Sequence, residues 1–140
     1  MKIVSYILML CLIAVACKSP DTETTQTNAN TVQAAWDEMM VVHDEVMPKM
    51  GEITRLKKQI AAKDSTAAVL EELTVAEDGM WNWMHNLTSL EELKKMEKAT
   101  ALQQLKTETA TIVGVREQIN MSIASGQQLL NNEIEANNGK

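Results

Sequence analysis

Phenylalanine is absent from this 140-residue chain, the one tyrosine is Tyr6, and there are only five glycines and two prolines. Sheets draw on aromatic and β-branched residues and on Gly- and Pro-rich turns, so the composition excludes a sheet protein and reads as helical. Cysteine is nearly absent too. Cys11 lies in an N-terminal apolar run and Cys17 just beyond it, so the body of the chain has no internal disulfide and must be held by packing alone. Basic clusters are missing: 13 Lys and Arg stand against 19 Asp and Glu, for a formal charge of −6. Nothing tracks phosphates, so nucleic acid is not an expected partner. An acidic body is also repelled by anionic headgroups and is not expected to lie on a membrane surface. No apolar run reaches the ~20 residues of a membrane span. Catalytic parts are lacking as well. There is no Gly-rich turn, and His43 and His85 are the only histidines. A nucleophile needs a base and oxyanion donors over a pocket, so no enzyme is expected.

What is present begins at the N-terminus. Lys2 precedes an apolar run from Ile3 to Ala16, followed by Cys17 and an abruptly polar stretch. A basic start, a short apolar middle and a small-residue exit form a secretory signal over residues 1–16. Ala14-Val15-Ala16-Cys17 resembles the lipobox of bacterial lipoproteins, with Ala14 where that pattern usually has Leu. The resemblance implies cleavage before Cys17 and a diacylglycerol plus an acyl chain on that cysteine, more than one chain and so a stable anchor. The same residues also suit an ordinary signal peptidase, which would leave Cys17 as a free thiol. By resemblance to Gram-negative lipoproteins, Lys18 after the cysteine favours the outer membrane, with the protein facing the periplasm.

Residues 17–30 hold the lipidated cysteine and a polar stretch with nothing apolar to bury, read as a flexible tether. Residues 31–137 are read as the helical domain, and 138–140 as a disordered tail. A first helix is expected over 31–63 on the stripe Val32, Ala35, Met39, Val42, Val46, Ile53, Leu56 and Ile60. Pro48 projects opposite this stripe, so a kink is preferred to a break. Asp64-Ser65 offers an N-cap to a second helix over 66–86, with Val69, Leu73, Ala76, Met80, Trp83 and Leu87 on one face. Thr88 and Glu91 fit a capping box for a short segment. Thr100 and Gln103 offer a further cap to a last helix over 101–135, with a seam of Leu102, Leu105, Thr109, Ile112, Arg116, Ile119, Ile123, Leu130 and Ile134. Three such stripes bury one another most simply as an all-α, antiparallel up-down-up three-helix bundle, with a short extra helix allowed before the last. A long parallel homo-oligomeric coiled coil is the runner-up.

Met39, His43, Met47 and Met50 share one side of the first helix, and Met80 and Met84 lie on the second. Thioethers and imidazole are soft ligands suited to Cu(I). The plainer reading is core packing, since Met fills irregular helical cores. Asp37-Glu38 and Asp44-Glu45 flank the stripe, but the chain holds no Glu-x-x-His pair, so the ferritin-like di-iron pattern fails. Arg116 occupies a seam position and is expected to snorkel outward or to pair with Asp44 or Glu45. Trp81 lies off the stripe, as a partner-binding anchor would.

Two segments, His43-Asp-Glu-Val-Met-Pro-Lys-Met50-Gly-Glu-Ile and Met80-Trp-Asn-Trp-Met-His85, resemble motifs of a family of small helical lipoproteins of Gram-negative bacteria, some labelled "viral A-type inclusion protein". The resemblance covers residues 36–87 and implies a short helical domain behind a lipobox. It brings no established activity and carries over no functional residue. The expectation is therefore a lipid-anchored helical bundle of the cell envelope, a protein-interaction or structural module without catalytic activity or cofactor. Its membrane contact is the anchor on Cys17, and its expected partner is an envelope protein; neither that partner's identity nor the oligomeric state is specified. The alternative is a periplasmic Cu(I)-binding protein that uses the Met and His cluster.

Overall fold

The computed structural model describes residues 20–63 and 67–138. The signal segment, Cys17, the Asp64-Ser65 cap and the last two residues of the expected tail lie outside them. The described residues form four helices and no strand: α1 (Pro20–Ala61), α2 (Ala68–Asn86), α3 (Leu90–Leu93) and α4 (Lys98–Asn138). None is long and apolar enough to cross a membrane.

Among the described residues α1 runs from Pro20 rather than from residue 31, so the backbone of 20–30, read from sequence as tether, is helical. No glycine or second proline lies between Pro20 and Pro48 to interrupt the helix. The helix runs through Pro48 without a break. Pro48 is exposed, and the stripe resumes in phase with Met50, Ile53, Leu56 and Ile60 buried.

The connection from α2 to α4 departs from the sequence reading at both caps. Ser89 and Glu92, not Thr88 and Glu91, form the capping box, with each residue's side chain bonded to the other's backbone N–H. Two overlapping S/T-x-x-E patterns compete here. The later one places Leu93 in the core and leaves the Thr88 hydroxyl to accept from Gln104 Nε2 at 2.6 Å. Helix α4 starts at Lys98, ahead of the expected 101, because Glu97 caps it. The Glu97 carboxylate accepts from the Thr100 N–H at 3.0 Å, and its carbonyl accepts the first helical bond from Ala101.

Cross-helix contacts set the directions. Glu45 meets Arg116 and Lys49 meets Asn120, both across a separation of 71 residues, and Glu52 meets Gln127 one step further. Helices α1 and α4 therefore advance together. Helix α2 runs against both: Lys57 meets Glu77 while His43 meets Trp83, and Trp83 meets Glu108 while Thr88 meets Gln104. One core lies between them, from Val32 through Met39, Val46, Ile53 and Ile60 on α1, with Leu73, Ala76, Met80 and Trp83 on α2 and Leu105, Ile112 and Ile119 on α4.

The far end of the α4 seam is not covered. Ile134 is 52% exposed. The α1/α4 offset sets it level with the last turn of α1, and α2 has not begun at that height. Close packing resumes one step inside, where Gly126 is buried and an added Cβ would lie 3.3 Å from Leu56 Cδ1, 3.5 Å from Ile60 Cδ1 and 3.6 Å from Leu73 Cδ1. At Gly51 and Gly114 an added Cβ would meet nothing within 4 Å.

The glycines should therefore separate in a melting experiment. Gly51→Ala and Gly114→Ala are each expected to stabilise the fold by up to about 1 kcal/mol through helix propensity. Gly126→Leu is expected to cost about 1–3 kcal/mol by overpacking. Urea midpoints that move in the same direction for all three would contradict this packing.

Candidate functional site

The sequence-predicted residues fall into three environments. Met39, Met50 and Met80 are buried in the core, His43, Met47 and Met84 are half-buried beside it, and Trp81 is 51% exposed. The six Met and His residues are not drawn to one point. At 1.5 Å of rise per residue, Met39 and Met50 sit about 16 Å apart along α1, so no single ion touches both. Only the part of the cluster within a turn of His43 remains compact. There the imidazole faces the indole of Trp83, with ring centroids 6.0 Å apart and planes at 35°, and its Nδ1 lies 2.9 Å from Asp44 Oδ1.

Trp83 and Trp81 are two residues apart on one helix and have opposite fates. Trp83 is 4% exposed, and its Nε1–H donates to the Glu108 carbonyl of α4 at 3.2 Å. A buried indole N–H needs such an acceptor. Trp81 points away from the stripe, as its position on the helix requires. His85 is exposed.

The acidic pairs are solvent-facing. Asp37, Glu38, Asp44 and Glu45 are all exposed, and no group of three His, Cys, Asp or Glu side chains that could hold a metal occurs among the described residues. Arg116 chooses Glu45 rather than Asp44, at 3.3 Å. Lys49 adds a second contact to Glu45 at 3.2 Å and reaches Asn120 of α4 at 2.8 Å. Lys49 foremost, with Arg116, holds the Glu45 carboxyl below the usual glutamate range. The Ser89 hydroxyl and backbone N–H do the same for Glu92, and the backbone N–H groups of Ala99 and Thr100 for Glu97.

A further feature lies where no motif pointed. Between α2 and α4 runs a groove of about 780 Å³ lined by Ala68, Val75, Gly114 and Met121, with Glu71, Glu72 and Glu117 also on its walls. Val75 is 44% and Met121 71% exposed. The sequence carries a signal for it: residues 64–93 contain no Lys or Arg. Neither a family model, nor a curated protein, nor a solved structure matches this chain. The family resemblance therefore rests on its two motifs.

The capped and paired carboxylates give the fold an acid-sensitive limb. Their folded-state pKa values lie below the unfolded ones, so their contribution is complete above the ordinary glutamate range, about 4.3. It is lost as pH falls through the lowered values. Melting temperature against pH is expected to drop in that window for the native chain and to drop less steeply in a Glu45→Gln, Glu92→Gln, Glu97→Gln variant. An equally steep acid limb in the variant would assign the sensitivity elsewhere.

Proposed function

We propose that this chain is a lipid-anchored lipoprotein of the cell envelope whose helical bundle serves as a protein-interaction or structural module. The bundle is read as an up-down-up arrangement of α1, α2 and α4, with α3 as a short turn before the last helix. The anchor is a diacylglyceryl and N-acyl modification of Cys17, and the module faces the periplasm from the outer membrane. The observation that carries the interaction reading is the exposed Trp81 on α2. A large apolar side chain with an indole N–H, left outside a core that buries Trp83 two residues on, is a typical interface anchor.

Cu(I) binding is the second reading. What favours it is the half-buried His43, one helical turn from Met47 and in ring contact with Trp83, the neighbour of Met84 in α2. It calls for stoichiometric Cu(I) retention against a competing chelator, weakened by His43→Ala.

Two outcomes test the first reading. Trp81→Ala is expected to leave the helical signal and the melting temperature unchanged while abolishing the crosslinked partner band in intact cells; an unchanged band removes Trp81 from the interface. Cys17→Ser is expected to abolish incorporation of labelled palmitate and to release the protein from the membrane fraction. Retained label in that variant would refute the anchor.

A further inference from the structure

We propose that the α2/α4 groove seats one short amphipathic helix of a basic partner protein, with its apolar stripe on Val75 and Met121 and its lysines or arginines against Glu71, Glu72 and Glu117. The groove is shaped for such a guest. Its lining spans residues 68–75 of α2 and 114–122 of α4, about 10–12 Å of helix axis, the length of two turns. The walls are low because Ala68 and Gly114 carry little or no side chain, and nothing fills the space beside Gly114. Ser122 is buried in the groove, and its hydroxyl already donates to the Ile119 carbonyl at 3.1 Å. It therefore offers shape rather than a polar contact. This is the helix-in-groove mode of recognition, and the flexible Met121 thioether adapts to the guest surface.

Charge selects the occupant. Glu71, Glu72 and Glu117 have no ion pair or hydrogen bond among the described residues. The nearby Glu77, by contrast, is engaged by Lys57 at 2.6 Å. No Lys or Arg occurs in residues 64–93 or 117–138, so the groove carries an uncompensated negative field. Pairing the groove with itself about a two-fold axis would set carboxylates against carboxylates. An anionic lipid surface is repelled in the same way. A cationic helix gains at its flanks while covering the exposed apolar floor. The proposal rests on the interaction-module reading but uses a different surface, since Trp81 stands about 120° around α2 from Val75.

The test uses the full-length protein and a fluorescein-labelled peptide of about 18 residues, long enough to form a helix. The peptide carries leucines at i, i+3, i+4 and i+7 spacing and lysines on both flanks; a control has the same leucines and glutamate flanks. Anisotropy is expected to show saturable binding of the lysine peptide that weakens with added salt. Affinity should fall about tenfold or more in Glu72→Lys/Glu117→Lys, as for loss of close charge pairs, and that variant should instead bind the glutamate peptide. The Met121 methyl resonance should shift on titration, and Trp81→Ala should bind as the native chain does. The substituted side chains are exposed, and circular dichroism verifies that each variant keeps its fold. Absent binding, or equal binding of both peptides, overturns the proposal. So does self-association that perturbs Met121 without peptide, which assigns the groove to a second copy. Binding lost in Trp81→Ala but kept in the charge-reversed variant also overturns it. If the groove fails while Trp81→Ala still abolishes capture in cells, the module reading survives without it; if both fail, both fall.

Discussion

Trp83 is the point at which three helices meet. Among the described residues its indole is the only aromatic ring in the buried core, its N–H is tied to the α4 backbone at Glu108, and its face is turned to His43 of α1. A core built from Leu, Ile, Val and Met slides easily, because such side chains exchange neighbours one turn apart at little cost. A buried donor that accepts only one position of its acceptor removes that freedom. With Trp83 placed, α2 has a fixed height on both long helices. Leu73, Ala76 and Met80 then fall opposite the α1 and α4 stripes rather than between them.

The two long helices have their own means of alignment. Glu45 with Arg116, Lys49 with Asn120, and Glu52 with Gln127 form a polar row along one edge of the α1/α4 contact. Each of these partly exposed contacts contributes little alone, about 0–1 kcal/mol for an ion pair. Together they favour the observed stagger over its neighbours. They also draw in cations. Lys49, Arg116, Arg55 and Lys57 all engage carboxylates within or between the helices. The outer side of α2 is left acidic, with no cation paired to Glu71 or Glu72 among the described residues. The groove that α2 forms with α4 is thus a product of the same arrangement that stabilises the bundle: small residues there keep the helices from closing over, and the compensating charges lie on the other side.

Much of this was legible in the residues. The stripes of α1 and α2 were readable because apolar residues at helical spacing have only one face to share, and those faces are the buried ones. The continuity of α1 through Pro48 followed from the unbroken phase of Met50 and Ile53. The place of Arg116 on a seam showed only that its charge had to reach solvent or a carboxylate at Asp44 or Glu45. The α2–α4 connection was not legible in detail. Thr88-x-x-Glu91 and Ser89-x-x-Glu92 are equally good capping boxes in isolation, and only the demand that Leu93 reach the core separates them. The choice of Glu97 over Thr100 as the cap of α4 is of the same kind. Ile134 continues the α4 pattern but extends past the helices that would cover it, and a one-dimensional pattern does not show where its partners end.

Composition and periodicity alone determined that this chain is helical, that α1 and α2 each bury one stripe, and that Trp83 goes inward while Trp81 stays out. These are properties of single helices, where spacing in sequence becomes angle around an axis. The tertiary structure decided which contacts join one helix to another. It spread the methionines and His43 along the bundle instead of gathering them, matched Glu45 to Arg116 across 71 residues, and opened an acidic groove between α2 and α4. Those outcomes depend on stagger and on where each neighbour stops, and both are set by packing between segments far apart in the chain.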